Sequence, residues 1–149
     1  MIFIRIDPEF KLFINKKLIR NALKATFIAK QLSLSKNALT VWITNDVKIR
    51  DLNLKFRNID RVTDVLSFPA DEIDLETGKR YLGDIVISYP QLIRQTSRYS
   101  KNSETELSLL CVHGALHLLG YDHDTYKNKK RMWTFQSEIL NSLGYTQID

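Results

Sequence analysis

The spacing of apolar positions changes several times along the chain, and each change marks an element. Residues 1–7 alternate and are rich in Ile, the pattern of a short strand. From Lys16 to Gln31, with Leu32 just beyond, the residues Leu18, Ile19, Ala22, Leu23 and Ile28 approximate the 3.6-residue period, which predicts an amphipathic helix with a basic outer face. Ala38–Thr44 reads as the next strand. Asn45 or Asp46 can cap a helix running to about Phe56, with Ile49, Leu52 and Phe56 inward and Arg57 at its end. Val62–Phe68 predicts a third strand stopped by Pro69, and Asp84–Ser88 a fourth. The acidic run Asp71–Lys79 between them reads as a solvated loop without chemistry. Pro90 suits the first turn of a helix reaching about Tyr99, and Ser103 with Glu106 forms a capping box for another running to about Leu119. Gly120 suits that helix's end, and Asp124 can cap a last helix in which Met132, Phe135, Ile139 and Leu143 share a face and which Gly144 ends, leaving a short frayed tail. No repeat or low-complexity linker divides the chain. The expectation is one α+β domain over residues 1–149, a small mixed sheet covered by the early helices, with about five helices in all and the histidine-bearing helix at the centre.

Composition narrows the chemistry. The 149 residues are 44% hydrophobic and carry a formal net charge of +5, enough apolar content for a real core and enough positive charge to permit an anionic partner. Cys111 is the sole cysteine, which excludes an intrachain disulfide framework and a multi-cysteine zinc ribbon, fits a reducing cytoplasm, and leaves any metal to His or carboxylate. No apolar run approaches the roughly 20 residues of a membrane helix, and the N-terminus lacks the apolar core of a signal peptide.

All three histidines fall between His113 and His123. On a helix, His113 and His117 share a face, and a reversal at Gly120 can return His123 to the same point. Three neutral imidazoles around one ion, with a fourth position open, are the ligand count of a catalytic zinc. The spacing His-x3-His-x2-Gly-x2-His is also the metzincin peptidase pattern, but those enzymes carry Glu after the first His as general base, where this chain has Gly114.

The stretch Val112-His113-Gly114-Ala115-Leu116-His117-Leu118-Leu119-Gly120-Tyr121-Asp122-His123 resembles the signature of the bacterial YbeY family of ribosomal RNA maturation endoribonucleases. Leu52-Asn53-Leu54-Lys55-Phe56-Arg57, Thr63-Asp64-Val65-Leu66-Ser67-Phe68-Pro69 and Leu82-Gly83-Asp84-Ile85-Val86-Ile87 resemble the family's other blocks in the same order, so the likeness covers about residue 40 to the end. Val62 stands where the family often has proline before that Thr, a departure that touches only the local loop. The resemblance implies a metal-dependent endoribonuclease preferring single strands, with one zinc ion per chain held by His113, His117 and His123. It further implies a cytoplasmic role in 16S ribosomal RNA 3′-end maturation and ribosome quality control, with the small ribosomal subunit and its assembly factors as partners and neither DNA nor membrane expected. Arg57 is the position the family requires for RNA cleavage.

Phosphodiester cleavage needs charge stabilisation at the phosphorane, which a metal ion and a guanidinium both provide. Arg57 suits that role and Arg61, also flanking the third strand, would help bind substrate. The nucleophile stays open between a metal-activated water and the RNA 2′-hydroxyl. Asp84 and Asp122 are candidates to orient the histidines by accepting an imidazole N–H, against plainer readings as a strand-entrance residue or partner contact and as a turn residue. Lys55, Arg94, Arg98 and the run Lys127, Lys129, Lys130, Arg131 could line an RNA groove, although the run alone is more simply a solvated helix face. Tyr121 could stack a base or pack, and Ser67 and Cys111 read as ordinary strand and core residues. The rival functions are a zinc peptidase, which Gly114 disfavours, and a non-catalytic ribosome-assembly factor with a structural metal.

Overall fold

A computed structural model describes residues 1–98 and 102–145. Strand β1 (Ile2–Ile6) leads through a short 3-10 turn at Pro8–Phe10 to helix α1 (Lys16–Ala29), whose first turn is capped by the Asn15 side chain accepting from the Lys17 N–H at 3.0 Å. Strand β2 (Asn37–Thr44) follows, then helix α2 (Asp46–Arg57). Asn45 Oδ1 caps α2 by accepting the Lys48 N–H at 2.9 Å, and Asn58 ends it in the left-handed conformation at φ 58°. Strands β3 (Val65–Ile73) and β4 (Arg80–Ser88) precede helices α3 (Tyr89–Arg98), α4 (Ser103–Leu118) and α5 (Tyr126–Ser142).

Three local expectations are corrected. The segment read as an acidic loop is the outer part of a β3–β4 hairpin: β3 runs through Pro69 to Ile73, and only 74–79 turn, with the Asp74 N–H donating to the Lys79 carbonyl at 2.8 Å. Pro69 is tolerated because β3 is an edge strand and its pairing slips between Pro69 and Glu72, so no ladder donor is missed. Helix α4 is capped by Asn102, whose Oδ1 accepts from the Glu104 and Thr105 N–H groups, in place of the Ser103 box. Helix α5 is capped by Thr125, one residue beyond Asp124. Tyr99, the expected end of α3, lies outside the described residues, as do residues 146–149 of the expected tail.

The sheet has the order β1-β2-β4-β3, parallel except for the β3–β4 pair. Its two faces are covered differently. Leu39, Val41, Ile43, Ile85 and Ile87 meet α1 and α4 on one face, whereas Leu66, Val86 and partly buried Trp42 meet Ile49 of α2 on the other. The early helices therefore lie on opposite sides. Helix α4 is the central one, with Leu107, Leu110, Cys111, Val112, Ala115, Leu116 and Leu118 all buried. A helix apolar on nearly every side fits a site enclosed by α1, α3, α5 and the sheet. Gly114 lets it approach: a Cβ there would stand 2.7 Å from Ile85 Cγ2. Ser67 fixes the same contact by donating its Oγ hydrogen to the Gly114 carbonyl at 3.0 Å.

Candidate active site

The last two turns of α4 present His113 and His117 on one face, and the chain reverses at Gly120, whose φ of 95° favours glycine, to bring back His123. Ring nitrogens of the three lie within 4.8 Å of one another, and the Nε2 atoms of His113 and His117 are 3.1 Å apart. Two nitrogens each bound at 2.0 to 2.1 Å to a tetrahedral ion would stand about 3.3 Å apart, so the donor set fits a zinc-sized cation. Burial holds the His113 imidazole below its usual pKa, and burial reinforced by the charges of His113 and His123 lowers His117 to about 4. Both rings are neutral at pH 7, the form that ligates.

The far nitrogens are occupied in the way that aims the near ones. His113 Nδ1 lies 2.9 Å from Gln136 Oε1 on α5, so with its proton on Nδ1 it donates there and leaves Nε2 free to bind. His117 has a hydrogen bond to the Tyr121 backbone. Tyr121 is itself packed in the cluster that anchors the turn. Lys30, just past the end of α1, donates to its hydroxyl at 2.5 Å and lies over its ring and over Phe135, and the Tyr121 and Phe135 centroids are 5.2 Å apart.

These histidines form one wall of a polar cavity of about 450 Å³. The rest of its lining comes from the end of α2, the segment leading into β3 and the start of β3 itself, and includes Asn53, Arg57, Arg61, Asp64 and Ser67. Because β3 is the sheet edge, α2 can place Arg57 beside it, where Nη2 donates to the Ser67 carbonyl at 3.3 Å. Buried Asn53 donates to the Arg61 carbonyl at 3.0 Å, tying the connecting loop to α2. Arg57 and Arg61 thus share the cavity with all three histidines.

The two carboxylates expected to orient the histidines do not do so. Asp84 pairs with Phe68 and Thr40 across the sheet and so lies on the face opposite α4, where it accepts from the Tyr81 hydroxyl at 2.5 Å. Asp122 accepts the backbone N–H of His123 at 2.7 Å, a turn interaction, and acts on His117 only through its charge. Arg94 is likewise elsewhere, paired with Asp46 at 2.8 Å. Sequence reasoning missed Gln136 and Asp64. Gln136 was detectable as a polar residue within the Met132, Ile139 and Leu140 stripe of α5, whereas Asp64 stands in a matched block but had no spacing to tie it to the histidines.

A family model described as Endoribonuclease YbeY matches residues 5–144. Among relatives named endoribonuclease YbeY, that of Acholeplasma laidlawii is 45% identical over 114 residues, covering 76% of this chain and 80% of its own. That of a Roseiflexus species is 35% identical over 150 residues, covering 97% and 93%. The solution structure of TM1509 from Thermotoga maritima superposes with a TM-score of 0.64 at 28% identity, covering 96% of this chain and 89% of that one. With a match along nearly its whole described length and a fold that agrees, this chain belongs to the endoribonuclease YbeY family.

Proposed function

We propose that this protein is a zinc-dependent endoribonuclease that cuts single-stranded RNA, acting in the cytoplasm on the 3′ end of 16S ribosomal RNA and working with the small ribosomal subunit. The observation that carries the reading is the shared cavity, which His113, His117 and His123 line together with two guanidinium-bearing residues. His113, His117 and His123 would hold the metal. A bound divalent ion supplies Lewis-acid charge where the phosphodiester becomes more negative. Arg57 sits across the cavity, where its guanidinium offers donors in a planar fork to a phosphate and stabilises charge developing there. Arg61 adds positive charge to the cavity lining, and Gln136 and the Tyr121 backbone orient the His113 and His117 imidazoles.

A peptidase needs a general base beside the first histidine, and position 114 has no room for one because its Cβ direction runs into buried Ile85. The test is elemental analysis of protein purified without chelator, alongside cleavage of single-stranded RNA and of casein. Wild type should carry about one metal ion and cut RNA only, and His117→Ala should lose both metal and cutting. Equal metal in the two proteins would remove the histidine site, and chelator-sensitive casein hydrolysis without RNA cleavage would reverse the assignment.

A further inference from the structure

Helix α5 carries exposed chemistry that the histidine cavity does not use. Tyr126, Lys129, Lys130 and Trp133 stand at i, i+3, i+4 and i+7 and so share one face. Tyr126 is 82% exposed and Trp133 is 52% exposed, and Lys129 Nζ lies 4.5 Å from the Trp133 ring centroid. The four line a shallow cavity of about 520 Å³, in which Glu138 is the one acidic residue. The ion pairs found among the described residues join Arg50 to Asp60, Arg80 to Asp71 and Arg94 to Asp46, and leave Lys127, Lys129, Lys130 and Arg131 of α5 without a carboxylate partner.

Two aromatic rings left in water next to unneutralised cations match a partner that is both flat and anionic. Unpaired nucleic-acid bases offer the flat faces, and their backbone offers the charge. An acidic protein surface would answer the lysines but leave the rings unmatched. The stripe lies on the helix that touches the histidine site: Tyr126 follows His123 by three residues in the chain, and Gln136, three residues after Trp133, contacts His113 at 2.9 Å.

Resting on the ribonuclease reading above, we infer that this face of α5 is a track for single-stranded RNA adjoining the cleavage cavity, in which Trp133 and Tyr126 stack on bases while Lys129 and Lys130 meet phosphates. The two rings are separated by about 10 Å along the helix axis, so they serve as distinct stacking surfaces.

The chain has two tryptophans, Trp42 and Trp133. Trp42 donates its indole N–H to Asp7 at 2.9 Å and is covered by Arg5, which leaves Trp133 as the accessible reporter. The experiment titrates the full chain, kept from cutting by chelator, with a short single-stranded oligoribonucleotide of mixed sequence. Fluorescence should be quenched saturably in wild type and in Trp42→Phe, and not in Trp133→Phe. A duplex of the same sequence, its base faces already stacked, should quench little. Trp133→Ala combined with Tyr126→Ala should weaken binding of the single strand by at least about tenfold, with metal content and circular dichroism unchanged. Undiminished affinity in the double variant overturns the track while leaving the ribonuclease assignment standing, because wild type would still bind and cut. A wild type that neither binds nor cuts single-stranded RNA overturns both. Self-association lost in Trp133→Ala at unchanged RNA affinity assigns the face to a second copy of the chain and overturns the track.

Discussion

At Gly114 helix α4 touches β4, with the Ile85 methyl occupying the space a Cβ would need, and the same missing side chain leaves no general base beside His113. Ile85 is fully buried and β-branched, so it has little freedom to yield. Gly114→Ala should therefore destabilise the fold by about 1–3 kcal/mol and move His113 and His117 off a common point. Chemical unfolding of Gly114→Ala, Ile85→Ala and the pair should give a double variant less destabilised than the sum, since the smaller side chain makes room for the new methyl. Strict additivity would show that the contact is not what selects glycine. Three residues earlier on the same helix, Cys111 is fully buried and its thiol is pushed up to about 12 by burial. It should resist a thiol-directed reagent at pH 8 until the protein unfolds, and labelling of folded protein at the rate of a free thiol would contradict the packing described.

At the level of elements, apolar spacing and turn chemistry located the five α-helices and the four strands, although Ile28 and Phe56, expected on inward stripes, are exposed and the short 3-10 turn at Pro8–Phe10 was not foreseen. The exceptions have physical causes. The outer half of the β3–β4 hairpin carries no apolar alternation, since Asp71 and Glu72 are exposed on both sides of an edge, and only backbone pairing makes it a strand. The caps moved by one residue because Asn102 and Thr125 reach the free N–H groups from just outside each helix. Asp46 is a contact that period could not reveal: at the start of α2 it accepts from Arg94 of α3 and from Ser88 at the end of β4, joining three elements. The Arg94 hydrogen bond, with help from Ser88, holds its carboxyl below the ordinary 3.8. A carboxyl depressed in the folded state contributes stability that is present above its unfolded pKa and is lost as pH falls through the folded value. Asp46→Asn should lower the melting temperature at pH 7, and the gap to wild type should close below about pH 4. A gap of constant size down to pH 3 would assign the loss to packing rather than charge.

For the whole molecule, the three histidines were legible because helical spacing and one glycine turn keep them local, whereas the rest of the cavity lining depends on how α2 and β3 meet α4. The edge position of β3 follows from its pairing with β4 alone, and that placement lets Arg57 share the cavity with the three histidines from a different helix. It also puts Asp84, close to the site by sequence block, on the wrong face of the sheet. The separation between metal holding and phosphate binding can be tested. Arg57 is exposed, and its one described hydrogen bond is the 3.3 Å contact to the Ser67 carbonyl, so reversing its charge should leave folding and metal content intact. It should also replace an attraction for the scissile phosphate by a repulsion and reduce RNA cleavage by at least ~10²-fold, the scale seen when one oxyanion-stabilising donor is removed. Lys48→Glu makes the same charge change on the same helix about 13 Å away from Arg57, and serves as the control for the molecule's net positive charge. Cleavage, metal content and melting temperature of wild type, Arg57→Glu and Lys48→Glu separate the possibilities. If both variants cut equally well, the effect of Arg57 is general electrostatics, and if Arg57→Glu sheds its metal or unfolds, Arg57 supports the site instead of meeting the phosphate. Loss of cleavage confined to Arg57→Glu, with metal and stability retained, is the outcome the two-walled cavity requires.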